Sequence, residues 1–348
     1  MVDVVVADDS PFMRVQIRDI LEGGGFTVVA EAANGTEALE AVRAHDPDVV
    51  TLDVKMPGMN GIEAVERIVD ERPTPTLMLS RYTEEGSTTT FDALNAGAVD
   101  FFPKPGGEVS AGLVNYTDDL LEKVQLVADA TVPLETGSRG EAPDTSASTP
   151  APGLDGAGST PTLIIAASAG GPPVVERVLR DLPGTLGLRV IVVQHMPERF
   201  TERFADRLDS QSEFAVREAT ATDRLSPNEA VVAKGGYHLE VTGEERETLE
   251  LELTEGPSVH NVRPAADVTL ESAVGVITGP LLAAVFSGMG KDAAAGIERV
   301  STDGGATLAQ DPDSARVGGM PSSAVATGVV DVTRPPDRIA DWVVERIR

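Results

Sequence analysis

Short, wholly apolar runs alternate with amphipathic stretches in two parts of the chain, and a polar, low-complexity stretch separates them. In the first part, VDVVVAD (2–8), residues 27–31, DVVTLD (48–53), TLMLS (76–80) and AVDFF (98–102) have strand length and little internal polarity. Runs of this kind predict strands buried on both faces, as in a parallel sheet. Between them, helical spacing predicts helices over 36–45 and 61–71, another after residue 80, and a last one over about 109–126. Ser10-Pro11 marks a helix start, with a hydroxyl N-cap followed by proline at the first helical position. Gly23-Gly24-Gly25 ends that helix.

The same rhythm resumes at Thr162. TLIIAAS is a strand, PPVVERVLRDL a helix, LRVIVVQ a strand and ERFTERFADRLDS a helix. β-like segments from about 214 to 253 interrupt it and predict a partly antiparallel insertion or edge. LLAAVFS (281–287), a helix from about 291, the strand ATLAQ and a helix near 336–347 close the chain. Strands alternating with helices predict two doubly wound α/β domains. Residues from about 127 to 160, rich in Ala, Thr, Ser, Pro and Gly, bury too little apolar surface to offset their ordering entropy and predict a flexible linker. The expected boundaries are therefore 1–126, 127–160 and 161–348.

Composition narrows the possibilities. The chain has 348 residues and no cysteine, which excludes disulfides and thiolate metal sites. No apolar run approaches the roughly 20 residues of a membrane span, and MVDVVVADDS lacks a secretory pattern, so a cytoplasmic protein without membrane insertion is expected. The formal net charge of −28, from 56 acidic against 28 basic residues, argues against nucleic acid as a partner. With 41% hydrophobic residues the acidity does not predict disorder; it predicts adaptation to a high-salt cytoplasm.

In a doubly wound sheet, functional groups gather beyond the carboxyl ends of the strands. In the first domain those ends carry Asp8 and Asp9, Asp53, Ser80 and Lys104. Converging carboxylates require a cation, and hard oxygen ligands suit Mg²⁺. A lysine opposite would balance a phosphoryl group on Asp53. D-D, D-x-K-M-P-G, S and K-P at consecutive strand ends resemble the response-regulator receiver domain, of flavodoxin-like fold. The resemblance implies Asp53 as phosphoacceptor and Mg²⁺ held by Asp8, Asp9, Asp53 and the Lys55 carbonyl. It further implies Ser80 and Lys104 as phosphoryl contacts and Phe101 as the switch aromatic.

In the second domain Ser168 ends a strand and precedes Ala169-Gly170-Gly171-Pro172 and a helix, whose N-terminus is expected to offer unpaired N–H donors to developing negative charge. Alone this reads equally as a structural serine or a phosphate-binding turn. A serine nucleophile needs a base, and of the 4 histidines only His195 directly follows a strand at the same sheet edge. It could be that base, line the substrate, or be structural. Asp292, in the glycine turn after LLAAVFS, could orient the imidazole. His45 closes a helix of the first domain; His238 and His260 fall in the irregular middle portion.

A-A-S-A-G-G, V-Q-H-M-P, V-R-P-A-A-D, F-S-G-M-G-K-D-A-A-A-G, L-A-Q-D and G-G-M-P together resemble the chemotaxis protein-glutamate methylesterases, a receiver joined to a Rossmann-like catalytic domain with a mostly parallel sheet. That resemblance implies Ser168 as nucleophile, His195 as general base, Asp292 as orienting carboxylate and the Met289 N–H in the oxyanion hole. It implies hydrolysis of glutamyl methyl esters on methyl-accepting chemotaxis receptors, with glutamine deamidation also open to the same chemistry. A chemotaxis histidine kinase would be the phosphodonor, and the esterase reaction would need no cofactor. The unphosphorylated receiver would cover the catalytic edge. Three departures stand out: Ala169 where the family carries Thr, A-K-G-G-Y-H for its A-P-G segment, and H-N-V-R-P for its N-R-H-R-P. The competing readings are a phosphorylation-dependent receptor-binding protein without catalysis and a receiver-linked transcription factor, the latter disfavoured by charge.

Overall fold

The computed structural model describes residues 1–81, 84–104, 116–130 and 159–348, without the side chains of 80–88. It divides into two units, Met1–Leu134 and Glu135–Arg348.

The first unit runs β1 (Asp3–Ala7), α1 (Pro11–Gly23), β2 (Thr27–Ala32), α2 (Gly35–His45), β3 (Val49–Asp53), α3 (Gly61–Glu71), β4 (Thr76–Arg81), α4 (Glu84–Asn95), β5 (Asp100–Lys104) and α5 (Thr117–Ala128). Its five strands are parallel in the order β2-β1-β3-β4-β5, so the order reverses between β1 and β3. Val4, Val5, Val6, Val49, Val50 and Leu52 are fully buried, which is why these strands are apolar on both faces. Ser10 caps α1 by accepting from the Met13 N–H, with Pro11 in the first turn. At the start of α3, a Cβ on Gly61 would come within 2.1 Å of the Asp53 carbonyl oxygen, so only glycine lets this helix begin against the end of β3.

β5 lies two residues later than the apolar run suggests, because Pro103 and Lys104 continue the pairing with Ser80 and Arg81. Proline is tolerated there because β5 is an edge strand. The last helix continues to Ala128, past the expected boundary at 126. Most of the expected linker, 131–158, lies outside the described residues.

The second unit begins with β6 (Thr162–Ala167), α6 (Pro172–Asp181), β7 (Arg189–Gln194) and α7 (Glu198–Gln211). The β-rich middle comprises β8 (Ala215–Glu218), β9 (Thr222–Leu225), β10 (Glu229–Val232), β11 (His238–Glu245) and β12 (Thr248–Thr254). It is followed by α8 (Ala266–Ala273), β13 (Leu281–Val285), α9 (Ala294–Thr302), β14 (Ala306–Gln310), α10 (Gly319–Ala326), β15 (Val332–Arg334) and α11 (Ile339–Ile347). Seven parallel strands take the order β15-β14-β13-β6-β7-β10-β8. The middle segment divides: β8 and β10 extend this sheet in parallel, while β9, β11 and β12 form a separate antiparallel sheet.

That small sheet closes one face of the large one. Leu239, Val241, Leu249 and Leu251 pack in one core with Ile164, Ile191, Val193 and Val285. Full burial of each such side chain is worth about 1.5–3 kcal/mol. A buried cation also ties the two sheets together. The Arg189 guanidinium, fully buried, pairs with Glu244 at 2.7 Å and donates to the Thr162 hydroxyl and to the Thr160 and Glu247 carbonyls. Burial pulls Arg189 below its ordinary value. Burial works to raise Glu244, but hydrogen bonds from the Thr278 N–H and hydroxyl and from Arg189 outweigh it and leave Glu244 below the usual carboxylate range.

Candidate functional site

Strand register brings the second unit's polar strand ends together. β6 lies between β13 and β7, and the strand order reverses at the β6–β13 boundary. Ala166 pairs with Val285, and Ala167 with Gln194. The ladder runs on past the strand ends: the His195 N–H donates to the Ala167 carbonyl, and the Ser168 N–H to the Ser287 carbonyl, both at 2.9 Å. Ser168, His195 and the turn before Asp292 thus leave three adjacent strands at one edge. A Cβ on Gly288 would come within 2.8 Å of Ser168 Cβ, so glycine at 288 lets the β13 turn close over the serine.

His195 Nε2 lies 2.7 Å from Asp292 Oδ2. Asp292 is buried, and its oxygens also accept the N–H groups of Ala266, Asp267 and Ala293. Burial works to raise Asp292, but His195 and those backbone donors outweigh it and hold the carboxyl below its ordinary value. An ionised carboxylate only accepts, so Nε2 carries the imidazole proton and Nδ1 the lone pair.

Supporting residues that the sequence did not single out pin the serine turn. The Ser287 hydroxyl donates to the Ala169 carbonyl at 2.8 Å and accepts the Val317 N–H at 3.0 Å. Gln194 Nε2 donates to the Ser168 carbonyl at 2.8 Å. Ala169 itself is buried. One expectation is corrected. The N-terminus of α6 does not offer free donors, because Pro172 and Pro173 have no N–H and the Val174 N–H bonds the Gly171 carbonyl. Instead, the N–H groups of Ala169 and Met289 donate to no acceptor among the described residues.

The two remaining histidines of this unit are structural neighbours of the site. His238 is buried; the Ala265 N–H donates to its Nδ1, and its Nε2–H donates to the Pro257 carbonyl. His260 pairs through Nε2 with Asp267 at 2.8 Å. The segment 260–267 that reads as irregular therefore leads into α8, whose first N–H groups cradle Asp292. α8 escapes sequence reading because it is short and has no side-chain cap.

In the first unit, ligand atoms of Asp8, Asp9 and Asp53 lie within 4.8 Å of one another. Lys104 Nζ bridges Asp8 at 2.5 Å and Asp53 at 2.9 Å. Burial pushes Asp53 above its ordinary value, and the charges of Asp8 and Asp9 add to this while Lys104 opposes it. Three convergent carboxylates with a single lysine leave a charge deficit, and an all-oxygen set of this kind fits a small hard cation. A cleft lined by Asp9, Lys55, Met56, Asn60 and Thr89 opens beside them. Phe101 is buried in β5. Ser80 belongs to β4, and its side chain lies outside the described residues.

Comparison with known proteins assigns both units. Residues 163–343 match the model of the CheB methylesterase family, and residues 4–110 that of the response regulator receiver domain. The chain belongs to the CheB methylesterase family. Proteins named protein-glutamate methylesterase/protein-glutamine glutaminase from Natronomonas pharaonis and Halobacterium salinarum are 51% and 44% identical to it. Each alignment covers at least 99% of this chain; it also covers 97% of the first relative and 99% of the second. The crystal structure of the Thermotoga maritima CheB methylesterase catalytic domain matches with a TM-score of 0.52 at 34% identity, covering 54% of this chain and 98% of that one. This CheB-family chain is thus an α/β receiver domain followed by an α/β methylesterase domain, and a hydrolase. Among its described residues, no helix is long and apolar enough to cross a membrane.

Proposed function

We propose that this chain is a phosphorylation-controlled protein-glutamate methylesterase acting on chemoreceptors, with Ser168 as nucleophile, His195 as base and Asp292 as its orienting carboxylate. The observation that carries the reading is the His195–Asp292 pair at 2.7 Å, on strand ends flanking the one that presents Ser168. Ser168 Oγ attacks the ester carbonyl as its proton passes to His195 Nδ1. The Met289 N–H, with that of Ala169, is free to stabilise the oxyanion. Methanol leaves with the proton from His195. Water, deprotonated by the same imidazole, then releases glutamate and restores the serine. Glutamine deamidation follows the same steps with ammonia as leaving group.

The receiver takes its phosphoryl group on Asp53 from a chemotaxis histidine kinase, and Ser80 and Lys104 contact it. Mg²⁺ held by Asp8, Asp9, Asp53 and the Lys55 carbonyl would neutralise phosphoryl oxygens. Phe101 reports the switch. The acidic composition suits a high-salt cytoplasm, in keeping with the similarity to proteins from Natronomonas pharaonis and Halobacterium salinarum. The test is methanol release from methylated receptor membranes in high salt. It should rise with a small-molecule phosphodonor and fall at least about 10⁴-fold in Ser168→Ala. Wild-type release by Ser168→Ala would remove Ser168 as nucleophile, whereas receptor binding without methanol release by the unaltered chain would favour a non-catalytic receptor-binding protein.

A further inference from the structure

Behind the triad lies a second acid–imidazole pair. Asp267, buried on the first turn of α8, accepts the Gly296 N–H at 2.7 Å on one oxygen and His260 Nε2 at 2.8 Å on the other. Ligand atoms of His260, Asp267 and Asp292 all lie within 4.8 Å of one another. The Asp267 N–H donates to Asp292 Oδ1 at 3.0 Å, and the neighbouring Ala266 N–H to Oδ2 at 2.6 Å. His195–Asp292 and Asp267–His260 therefore stand back to back across one helix terminus, with two buried carboxylates between two imidazoles.

We propose that Asp267 and His260 are positioning residues that set the basicity of His195 through Asp292. This rests on His195 being the esterase base. Two carboxylates this close inside the protein repel each other unless each has its own donor, and an uncompensated charge there would add to the field that favours imidazolium at His195. His260 is the group that compensates Asp267. Among the charged groups on flanking segments, Arg263 donates through one Nη to the Glu255 and Gly256 carbonyls and pairs with no carboxylate among the described residues, its Nε being buried without a partner. Arg316 lies against Gly170 of the serine turn, Lys234 pairs with Glu198 and Glu218, and Lys291 and Glu271 are exposed. His238 spends both nitrogens on backbone groups. His260 itself sits at positive φ, followed by Asn261 at positive φ, so the loop holds its ring over Asp267 by an uncommon backbone turn.

The pair predicts shifts of opposite sign, which a purely structural role would not give. Asp267→Asn keeps the acceptor for Gly296 but removes a negative charge, so the titration midpoint of His195 should fall by about 0.5–1 pH unit. His260→Ala strips Asp267 of its donor, so the midpoint should rise by a similar amount, and His260→Gln should restore it. With only 4 histidines in the chain, ¹⁵N-histidine NMR titration of the full-length protein in high salt reads His195 directly, independently of any substrate. The acid limb of methanol release from methylated receptors should move with it. Unchanged His195 midpoints in both variants, or shifts in the same direction, would overturn the proposal. NMR shifts of opposite sign without methanol release would leave the pair intact and count against the esterase reading instead.

Discussion

Asp53 and Asp292 make a natural experiment within one chain. Both are buried aspartates at the carboxyl edge of a parallel sheet, and both sit near a reversal of strand order. Burial pushes both upward, yet Asp53 ends above its ordinary value and Asp292 below. The difference lies in what each carboxylate accepts. Asp292 receives three backbone N–H groups and an imidazole, whereas the close donor to Asp53 among the described side chains is Lys104, shared with Asp8. The lesson is that burial alone does not decide ionisation; the number of fixed donors does. The donor-rich carboxylate suits a permanent charge that steadies an imidazole. The donor-poor one suits a group waiting for a cation and a phosphoryl.

That contrast can be broken most sharply at Asp292. Asp292→Asn should lower methanol release about 10³–10⁴-fold, because the amide no longer enforces the productive tautomer of His195. It should also lower the melting temperature of the second unit, read by the fluorescence of Trp342, the only tryptophan in the chain. Asp53→Asn should do the reverse to its own domain: abolish phosphodonor stimulation while raising the receiver's stability at neutral pH, measured by hydrogen exchange. A loss of receiver stability would mean that Lys104 outweighs burial.

The smallest effect is in the wild-type pH dependence. Asp292 is depressed, so its contribution is present above the unfolded aspartate value near 3.8 and is lost as pH falls through its folded value. Asp53 is elevated, so its contribution is full below that unfolded value and is lost as pH rises through its folded one. Acidification from neutral pH toward the unfolded aspartate value near 3.8 should therefore favour the receiver as Asp53 protonates, before the catalytic unit begins to lose Asp292.

Much of this was legible from the chain itself. Strands such as DVVTLD and RVIVVQ are apolar on both faces, and the polar residues just beyond them had to gather at one sheet edge. Residues Ser168, His195 and Asp292 are visible for that reason. What stayed hidden depends on non-local pairing. Ser287 and Gln194 matter because of which carbonyls they reach, and Asp267 because α8 follows a loop with no helical pattern. The division of 214–253 between two sheets was equally out of reach, since short alternating strands carry no record of their partners. Pro172-Pro173 was the opposite case: the helix start was legible, but the donors expected of it were not there, since neither proline carries an N–H and Val174 spends its own on Gly171.

The buried Arg189–Glu244 pair has a consequence for how such an acidic protein can evolve. Dissolved ions screen the crowded surface carboxylates but barely reach a pair sealed between two sheets. The brace that holds the small antiparallel sheet is therefore indifferent to the salinity on which the exterior depends. Surface charge can thus be gained or shed while this joint keeps the catalytic unit in shape.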